Sequence, residues 1–584
     1  MIPVRKYFRL LTGYLRPMWP AALLLAVLLL AGITLQLANP QILRHFIDTA
    51  TTGGSRDRLL TAAVLFLVFA VLQQGFAVAA TYLAEHVGWT ATNAMRAELA
   101  EHCLRLDMDF HKLHTPGELI ERIDGDVTAL SNFFSQFIVQ VLGNALLLAG
   151  ILALLVRENV WIGLGLCVFA FSALFGLVWI QATARPLWRD VRARSAEYFG
   201  FLGEHLVATE DLRANGATGY VLHRSTAIHR AWLPEAVRAR IGFAAMWSTT
   251  ILLFAGATSL VFGLGSSLFI RGSLTLGTVY LIFHYTEMMR HPIEQIRTQM
   301  EDLQKAGAAI ERVEELFALR PRLDRSGTAL LPAGPLEVSF DRVEFSYEDE
   351  SGTNNGPALH DVSFAVAPGR VLGVLGRSGS GKTTLARLLT RLYDPARGTV
   401  AVGGVPLPAV AEPSLRHRVA MVTQEVRLFR APVRDNLAFF DAAIGDERIW
   451  SALEDLGLAD WVRALPAGLD TVLGGDGGLS AGEEQLLSFA RVFLEDPGLV
   501  VLDEASSRLD PATEVLVERA VDRLLTGRTG IIIAHRLSTV ERADDVLILE
   551  GGRIAEFGER AGLGADPDSR FSGLLRTGMQ EVLR

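Results

Sequence analysis

Up to about residue 300, the apolar residues gather into six long blocks, 17–38, 59–82, 133–156, 160–184, 243–270 and 274–289, separated by polar, arginine-rich stretches. Each block approaches the roughly 20 apolar residues a helix needs to cross a bilayer core. Beyond about residue 335 the apolar runs shorten. VLGVL (371–375) and LVVLD (499–503) alternate with helical stretches, the pattern of an α/β domain. The predicted fold class is therefore a multidomain membrane protein, with a six-helix all-α transmembrane domain followed by an α/β domain. The boundaries expected are 1–320 for the first, 321–334 for a Pro/Gly-punctuated linker, and 335–584 for the second.

The polar connections set the orientation. The two long ones, 86–132 and 185–240, carry Arg96, Arg105, Arg122, Arg185, Arg189, Arg192, Arg194, Arg213, Arg224, Arg230, Arg238 and Arg240, whereas the opposite ends are joined by short segments around Arg157 and Arg271. The positive-inside rule then puts the long connections and both termini in the cytoplasm, as expected of a multi-pass protein of the cell (inner or plasma) membrane. The long connections are themselves helical in pattern, as in WTATNAMRAELAEHCLRLDM, so the spanning helices are expected to continue far past the bilayer. HKLHTPGEL and LRANGATGY mark their turns. The segments are too long for a porin-like barrel. The basic start, MIPVRKYFRLLTGYLRP, raises the alternative of a cleaved signal peptide, but its apolar run is long enough to span and others follow.

Composition narrows the partners. A net charge of −9 lacks the basic excess of a nucleic-acid binder, so no nucleic-acid partner is expected. The two cysteines, Cys103 and Cys167, stand far apart and outside any metal-binding spacing, and are read as packing residues.

Chemistry enters with VLGVLGRSGSGKTTLARLL, an apolar strand, a glycine loop and a helix. In G-x-x-x-x-G-K-T, Gly376, Gly379 and Gly381 let backbone N–H groups approach phosphates. Lys382 reaches the β and γ oxygens, and the Thr383 hydroxyl is placed for Mg²⁺. Ser378 and Thr384 belong to the same nucleotide-binding stretch. LVVLDE ends a second buried strand in two carboxylates: Asp503 is placed to hold Mg²⁺ and Glu504 to polarise an attacking water. ATP and Mg²⁺ are the expected cofactors.

These motifs, in this order, resemble ATP-binding cassette (ABC) transporters of the exporter-fold type, in half-transporters with fused transmembrane and nucleotide-binding domains. The resemblance covers essentially residues 1–584. It implies that Tyr347 in FSY stacks on adenine and that Gln424 in VTQE senses Mg²⁺ and faces the membrane domain. It also implies that His535 in IIIAHRLS sits near the γ-phosphate, with Glu504, His535 and Gln424 as the catalytic set, and that Asp510 closes the D-loop. HKLHTPGEL and LRANGATGY would lie near the two coupling helices, and the N-terminal stretch would be an elbow helix along the inner leaflet.

One motif departs from the family. The signature L-S-G-G-Q, which serves the nucleotide held by the opposite subunit, appears as LSAGE: Leu479, Ser480 and Gly482 match, while Ala481 and Glu483 replace Gly and Gln. A carboxylate at Glu483 adds like charge near a polyanion. Nearby, Gly475 stands where Glu is expected, and Arg508 stands in SSRLD where a small residue is usual. All these departures face the opposite site, whereas the motifs for this chain's own nucleotide are intact. The expected partner is a second half-transporter in a heterodimer, the alternative being a homodimer in which the variants are tolerated.

The function expected is ATP-driven transport, most often export in this fold. An ATP-gated channel, a regulatory sensor and an importer on the same scaffold are the alternatives. Intact Glu504 and His535 favour turnover over gating, and six spans exclude soluble cassette roles. For the substrate path, Tyr280, His284, Glu287 and His291 share one helical face, with His284 and Glu287 as candidates. The alternative places Glu287 and His291 at the cytoplasmic boundary, merely solvated. Gln73, Gln74, Gln140 and Asn144 add polarity without choosing a substrate.

Overall fold

A computed structural model describes residues 13–14, 16–347, 356–424, 426–474, 479–503, 511–534 and 537–577. The chain forms two compact units, one of residues 1–104 and 117–319, the other of residues 105–116 and 320–584.

The first unit is helical throughout. Trp19–Thr51, Arg56–Arg105, Gly143–Glu158, Val160–Val207 and Thr218–Ile270 follow the first five apolar blocks. Among the described residues, five helical segments are by themselves long and apolar enough to cross a membrane. Thr218–Ile270, at 53 residues, is about 80 Å long at 1.5 Å per residue, against a hydrocarbon core of about 30 Å. The excess is the helical extension expected from the arginine-rich connections. The sixth block forms Leu276–Met288, only 13 residues, and continues after Met289 as Arg290–Ala318. It packs inward: Leu281, Ile282, Tyr285 and Met289 join Leu147, Ile151, Leu155 and Phe254 in one buried cluster. Val27, Leu67, Val71, Phe171 and Phe175 are instead exposed, the surface that lipid tails cover.

Polar contacts fasten the helix ends. Arg44 pairs with Glu158 at 2.7 Å, and Asp48 accepts the backbone N–H of Gly277 at 2.9 Å. Farther along, the buried Asp126 takes a two-pronged pair from Arg312, with Nε at 2.8 Å, and Tyr14 bonds the Glu98 carboxylate. Two π-helical turns, Glu121–Asp126 and Phe137–Leu142, interrupt the third long helical run and shift its register.

The second unit holds two sheets. In one, β1 (Val338–Phe345) lies between β2 (Leu359–Val366) and β4 (Arg397–Val402), all antiparallel, with β5 (Val405–Pro406) at the edge. The other contains β3 (Val371–Leu375), β6 (Val419–Val422), β7 (Leu499–Asp503), β8 (Thr529–Ile533), β9 (Asp545–Glu550) and β10 (Arg553–Glu559), in the order β10-β9-β3-β8-β7-β6. From β9 to β6 this sheet is parallel. Every residue of β3, β7 and β8 is buried, as a sheet covered on both faces requires.

The 321–334 stretch is docked on this unit: Ala329 N–H bonds the Ala409 carbonyl at 2.9 Å and Leu331 N–H bonds Ser414 Oγ at 3.0 Å. Residues 105–116 belong to the same unit and form the short helix Met108–Leu113. Pro116 opens the helix Pro116–Ile120 rather than merely ending the turn, since its missing N–H is unneeded in a first helical position.

Candidate active site

Parallel strands place their carboxyl ends on one edge, and there α/β sheets bind ligands. The phosphate loop leaves the end of β3, and Asp503 is the last residue of β7. Gln424 follows the end of β6 by two positions. Between β3 and β7 lies only β8, so the loop and Asp503 are about 10 Å apart by strand spacing. The sheet order thus sets Lys382, Thr383, Asp503 and, one strand further along, Gln424 on the same edge. Glu504 and His535, the next residue after β7 and the second after β8, lie outside the described residues, as do Asp510, Gly475 and Arg508.

The loop is built for an anion. A Cβ on Gly376 (φ 151°) would lie 2.3 Å from the Leu549 carbonyl oxygen, and one on Gly381 (φ 105°) 2.8 Å from that of Ala358, so only glycine fits either turn. Gly379 lies between them, and Ser378 is exposed on the outer bend. Lys382 opens the helix Lys382–Leu389, is buried, and donates to the carbonyls of Gly376 (2.7 Å) and Arg377 (3.0 Å). Thr383 is half-buried beside it. The Ser380 hydroxyl is buried without a hydrogen-bond partner among the described residues. An orphaned donor, a glycine cradle and a helix N-terminus suit a phosphate chain, and buried Asp503 with the Thr383 hydroxyl is a donor set suited to Mg²⁺.

Tyr347 stands at the side of this loop, its hydroxyl donating to Thr384 Oγ1 and accepting from Arg387, both at 3.2 Å. Its ring meets Phe345 and Tyr393 edge-on, and the Lys112 ammonium lies 4.7 Å from its centroid. Burial, reinforced by the Asp109 carboxylate, pushes the Tyr393 phenol up to about 12, leaving it neutral. Lys112 lies on the helix Met108–Leu113, anchored where Asp107 accepts the Arg322 N–H. Nothing in local sequence pairs Lys112 with Tyr347.

The departing signature has a structural explanation. Ser480 caps the helix Ala481–Glu495, and Glu483 closes a capping box: its carboxylate accepts from Ser480 N–H (2.7 Å) and Ser480 Oγ–H (2.9 Å). Its other oxygen accepts the indole N–H of Trp461 at 2.8 Å. A carboxylate at a helix N-terminus is also favoured by the helix dipole. In the sequence, Ser480 and Glu483 read only as signature positions; the S-x-x-E spacing is the signal that could have given the box, whereas no local signal points to Trp461. Gly482 is buried in the helix's first turn.

The same helix is locked to the segment after Gln424. Arg491, buried and with its pKa lowered by that burial, donates to Asn436 O (2.7 Å), Asn436 Oδ1 (3.0 Å) and Arg427 O (3.1 Å). Asn436 is fully buried and donates to Phe429 O and Ala431 O. Asn436→Ala should therefore strand several polar groups at about 1–3 kcal/mol each. The expected outcome is an apparent melting temperature several degrees lower, read by thermal unfolding of the purified complex.

The membrane candidates fall elsewhere. His284 stacks on Tyr280, and Glu287 accepts the Thr258 hydroxyl at 2.6 Å. A separate cavity of about 270 Å³ is lined by Gln73, Gln140 and Asn144 with His291, but not by His284, Glu287 or Gln74.

A buried parallel sheet that carries a phosphate loop, fused to helices of membrane-spanning length, defines an ATP-hydrolysing membrane transporter. Residues 22–293 match the ABC transporter transmembrane region and residues 359–507 match the ABC transporter family model, and the chain belongs to the ABC transporter family. It is 30% identical to the ATP-dependent lipid A-core flippase of Pseudomonas fluorescens, over 98% of this chain and 96% of that protein. It is 31% identical to the multidrug efflux ATP-binding/permease protein of Mycobacterium bovis, over 94% of this chain and 45% of that protein. Among solved structures it resembles a bacterial Atm1-family ABC exporter with ATP bound, at a TM-score of 0.77, 26% identity, and coverage of 96% of this chain and 98% of that one.

Proposed function

We propose that the chain is one half of a heterodimeric exporter of the cell membrane, with its nucleotide unit and termini cytoplasmic, moving an amphiphilic substrate by alternating access. The observation that carries this reading is the helix Met108–Leu113. It lies in sequence between the membrane-length helix Arg56–Arg105 and the helical run that leads to Gly143–Glu158, yet it belongs to the nucleotide unit and holds Lys112 against Tyr347. Adenine stacking on Tyr347 would displace that ammonium, so nucleotide occupancy would move the ends of spanning helices. Lys382 and the loop N–H groups would hold the phosphates, Glu504 would take the proton of the attacking water, and His535 would orient the γ-phosphate. Thr383, Gln424 and Asp503 would hold Mg²⁺, which supplies charge neutralisation at the phosphates. One relative is named as a lipid A-core flippase and another for multidrug efflux, in support of an amphiphile.

The heterodimer rests on Glu483. Its carboxylate engages the Ser480 hydroxyl that would otherwise face the opposite γ-phosphate, and brings negative charge to the same place. Glu483→Gln should raise steady-state ATP hydrolysis several-fold by relieving that repulsion, at a cost to the helix cap of about 1 kcal/mol. Unchanged or lower turnover in a complex of normal melting temperature would reject this role. Transport itself is tested in proteoliposomes containing the complete complex, by following ATP-dependent reorientation of a short-chain fluorescent phospholipid and, in planar bilayers, conductance. Reorientation that requires hydrolysis supports a transporter, whereas ATP-dependent conductance with little turnover would favour the channel alternative.

A further inference from the structure

Within the helical unit, the cavity of about 270 Å³ draws polar side chains from separate stretches of chain: Gln36, Gln73, Thr81, Gln140, Asn144 and His291. Its remaining wall is aliphatic, with Phe76 as the one aromatic ring. Gln36 lies on the helix Trp19–Thr51 and Gln73 on Arg56–Arg105, both inside apolar stretches of bilayer length. Gln140 reaches the cavity from the π-helical turn Phe137–Leu142, a distortion that such helices tend to keep at functional positions.

The hydrogen bonds within this group are incomplete. Asn144 Nδ2 is used on Gln140 O (2.6 Å) and Gln140 Oε1 (3.2 Å), and Thr81 Oγ1 on the Ala77 carbonyl (2.9 Å). The side-chain amides of Gln36 and Gln73 have no partner among the described residues. Amides held at bilayer depth without protein partners are costly unless something else bonds them.

Charge is equally informative. None of the lining residues is Lys, Arg, Asp or Glu. The nearest charged side chains on the same helical run are otherwise engaged, Arg290 with Glu294 at 3.5 Å and Glu287 with Thr258. An anionic head group would find no lysine or arginine and only the His291 imidazole, and a cationic one no carboxylate, each at a desolvation cost that hydrogen bonds to neutral amides do not offset. An uncharged head rich in hydroxyls or amides can both donate to and accept from every amide present. The volume is at the low end for small-molecule sites, so it suits one ring-sized head and not a whole lipid.

We propose that this cavity recognises the uncharged, hydrogen-bonding head of an amphiphile whose apolar part stays in the surrounding helices or lipid. This rests on the transport reading above and names the substrate class for it.

The test uses the complete complex in lipid nanodiscs and three photoactivatable eight-carbon probes: an alkyl glucoside, an alkyl carboxamide and an alkyl phosphate. Labelled peptides are mapped, and ATP hydrolysis is measured on the same sample. A neutral probe should label the segments around Gln36, Gln73 and Gln140 with half-saturation at least tenfold below that of the phosphate. The better neutral probe tells whether hydroxyls or amides are preferred. Gln73→Leu combined with Gln140→Leu should raise half-saturation tenfold or more. Gly32→Leu should do the same by filling the space, since a Cβ there meets only Phe76 Cβ, at 3.8 Å. The phosphate labelling as well as the neutral probes, or labelling unchanged in both variants, would overturn the proposal. An active ATPase with no cavity labelling would overturn it while leaving the transport reading intact, and an inactive wild-type complex would count against that reading itself.

Discussion

Lys382→Ala should abolish productive ATP binding at the site this chain builds. The ammonium opens the helix after the phosphate loop, is buried, and holds the carbonyls of Gly376 and Arg377. It would therefore serve twice, keeping the loop wound and contacting the β and γ phosphates through charge-assisted bonds that no neutral side chain replaces. A loss of at least 100-fold in turnover is expected, roughly 3 kcal/mol or more. Nucleotide affinity at that site should fall with it. Turnover of the purified complex, together with binding of a fluorescent ATP analogue, checks this. Undiminished hydrolysis would reject the loop as the working phosphate site.

Glu504→Gln should nearly eliminate steady-state hydrolysis, whereas Ser480→Ala in the same chain should cost far less. The first removes the proposed base beside this chain's own nucleotide, a loss on the order of 10²–10⁴-fold. The second touches a signature that would serve the opposite site, its hydroxyl already engaged by the Glu483 carboxylate. Because Ser480 is also the helix cap, its removal carries about 1 kcal/mol of stability, so turnover should be compared at matched folded fractions. In a homodimer each substitution enters both sites, and both should cripple turnover. Equal, severe losses would reject the asymmetric arrangement. A severe loss from Ser480→Ala alone would make the opposite site the productive one.

The parts legible in advance were those decided by near neighbours. Five apolar blocks became membrane-length helices because a span must satisfy every backbone group within one helix, so its length and polarity are written locally. The glycine loop was legible for a similar reason: Gly376 and Gly381 are spaced for a turn that no larger residue can make. The sixth block, expected at 274–289, forms Leu276–Met288; it is shorter than the others because it is packed against other helices, and burial in protein relaxes the length that lipid contact imposes.

By itself, then, the sequence determined a membrane-spanning helical unit, a nucleotide-binding sheet with its phosphate loop, and a signature that carries a carboxylate. Only the tertiary structure decided what those residues meet. Strand pairing is non-local, so the order β3-β8-β7-β6, which sets Asp503 and Gln424 near the loop, is absent from any single segment. The indole of Trp461 on Glu483 and the ammonium of Lys112 on Tyr347 depend on chain separated in sequence arriving at one place. The same holds for the cavity. On separate helices Gln36, Gln73 and Gln140 are scattered amides in apolar stretches, and helix packing, with one π-helical turn to adjust the register, makes them one polar surface.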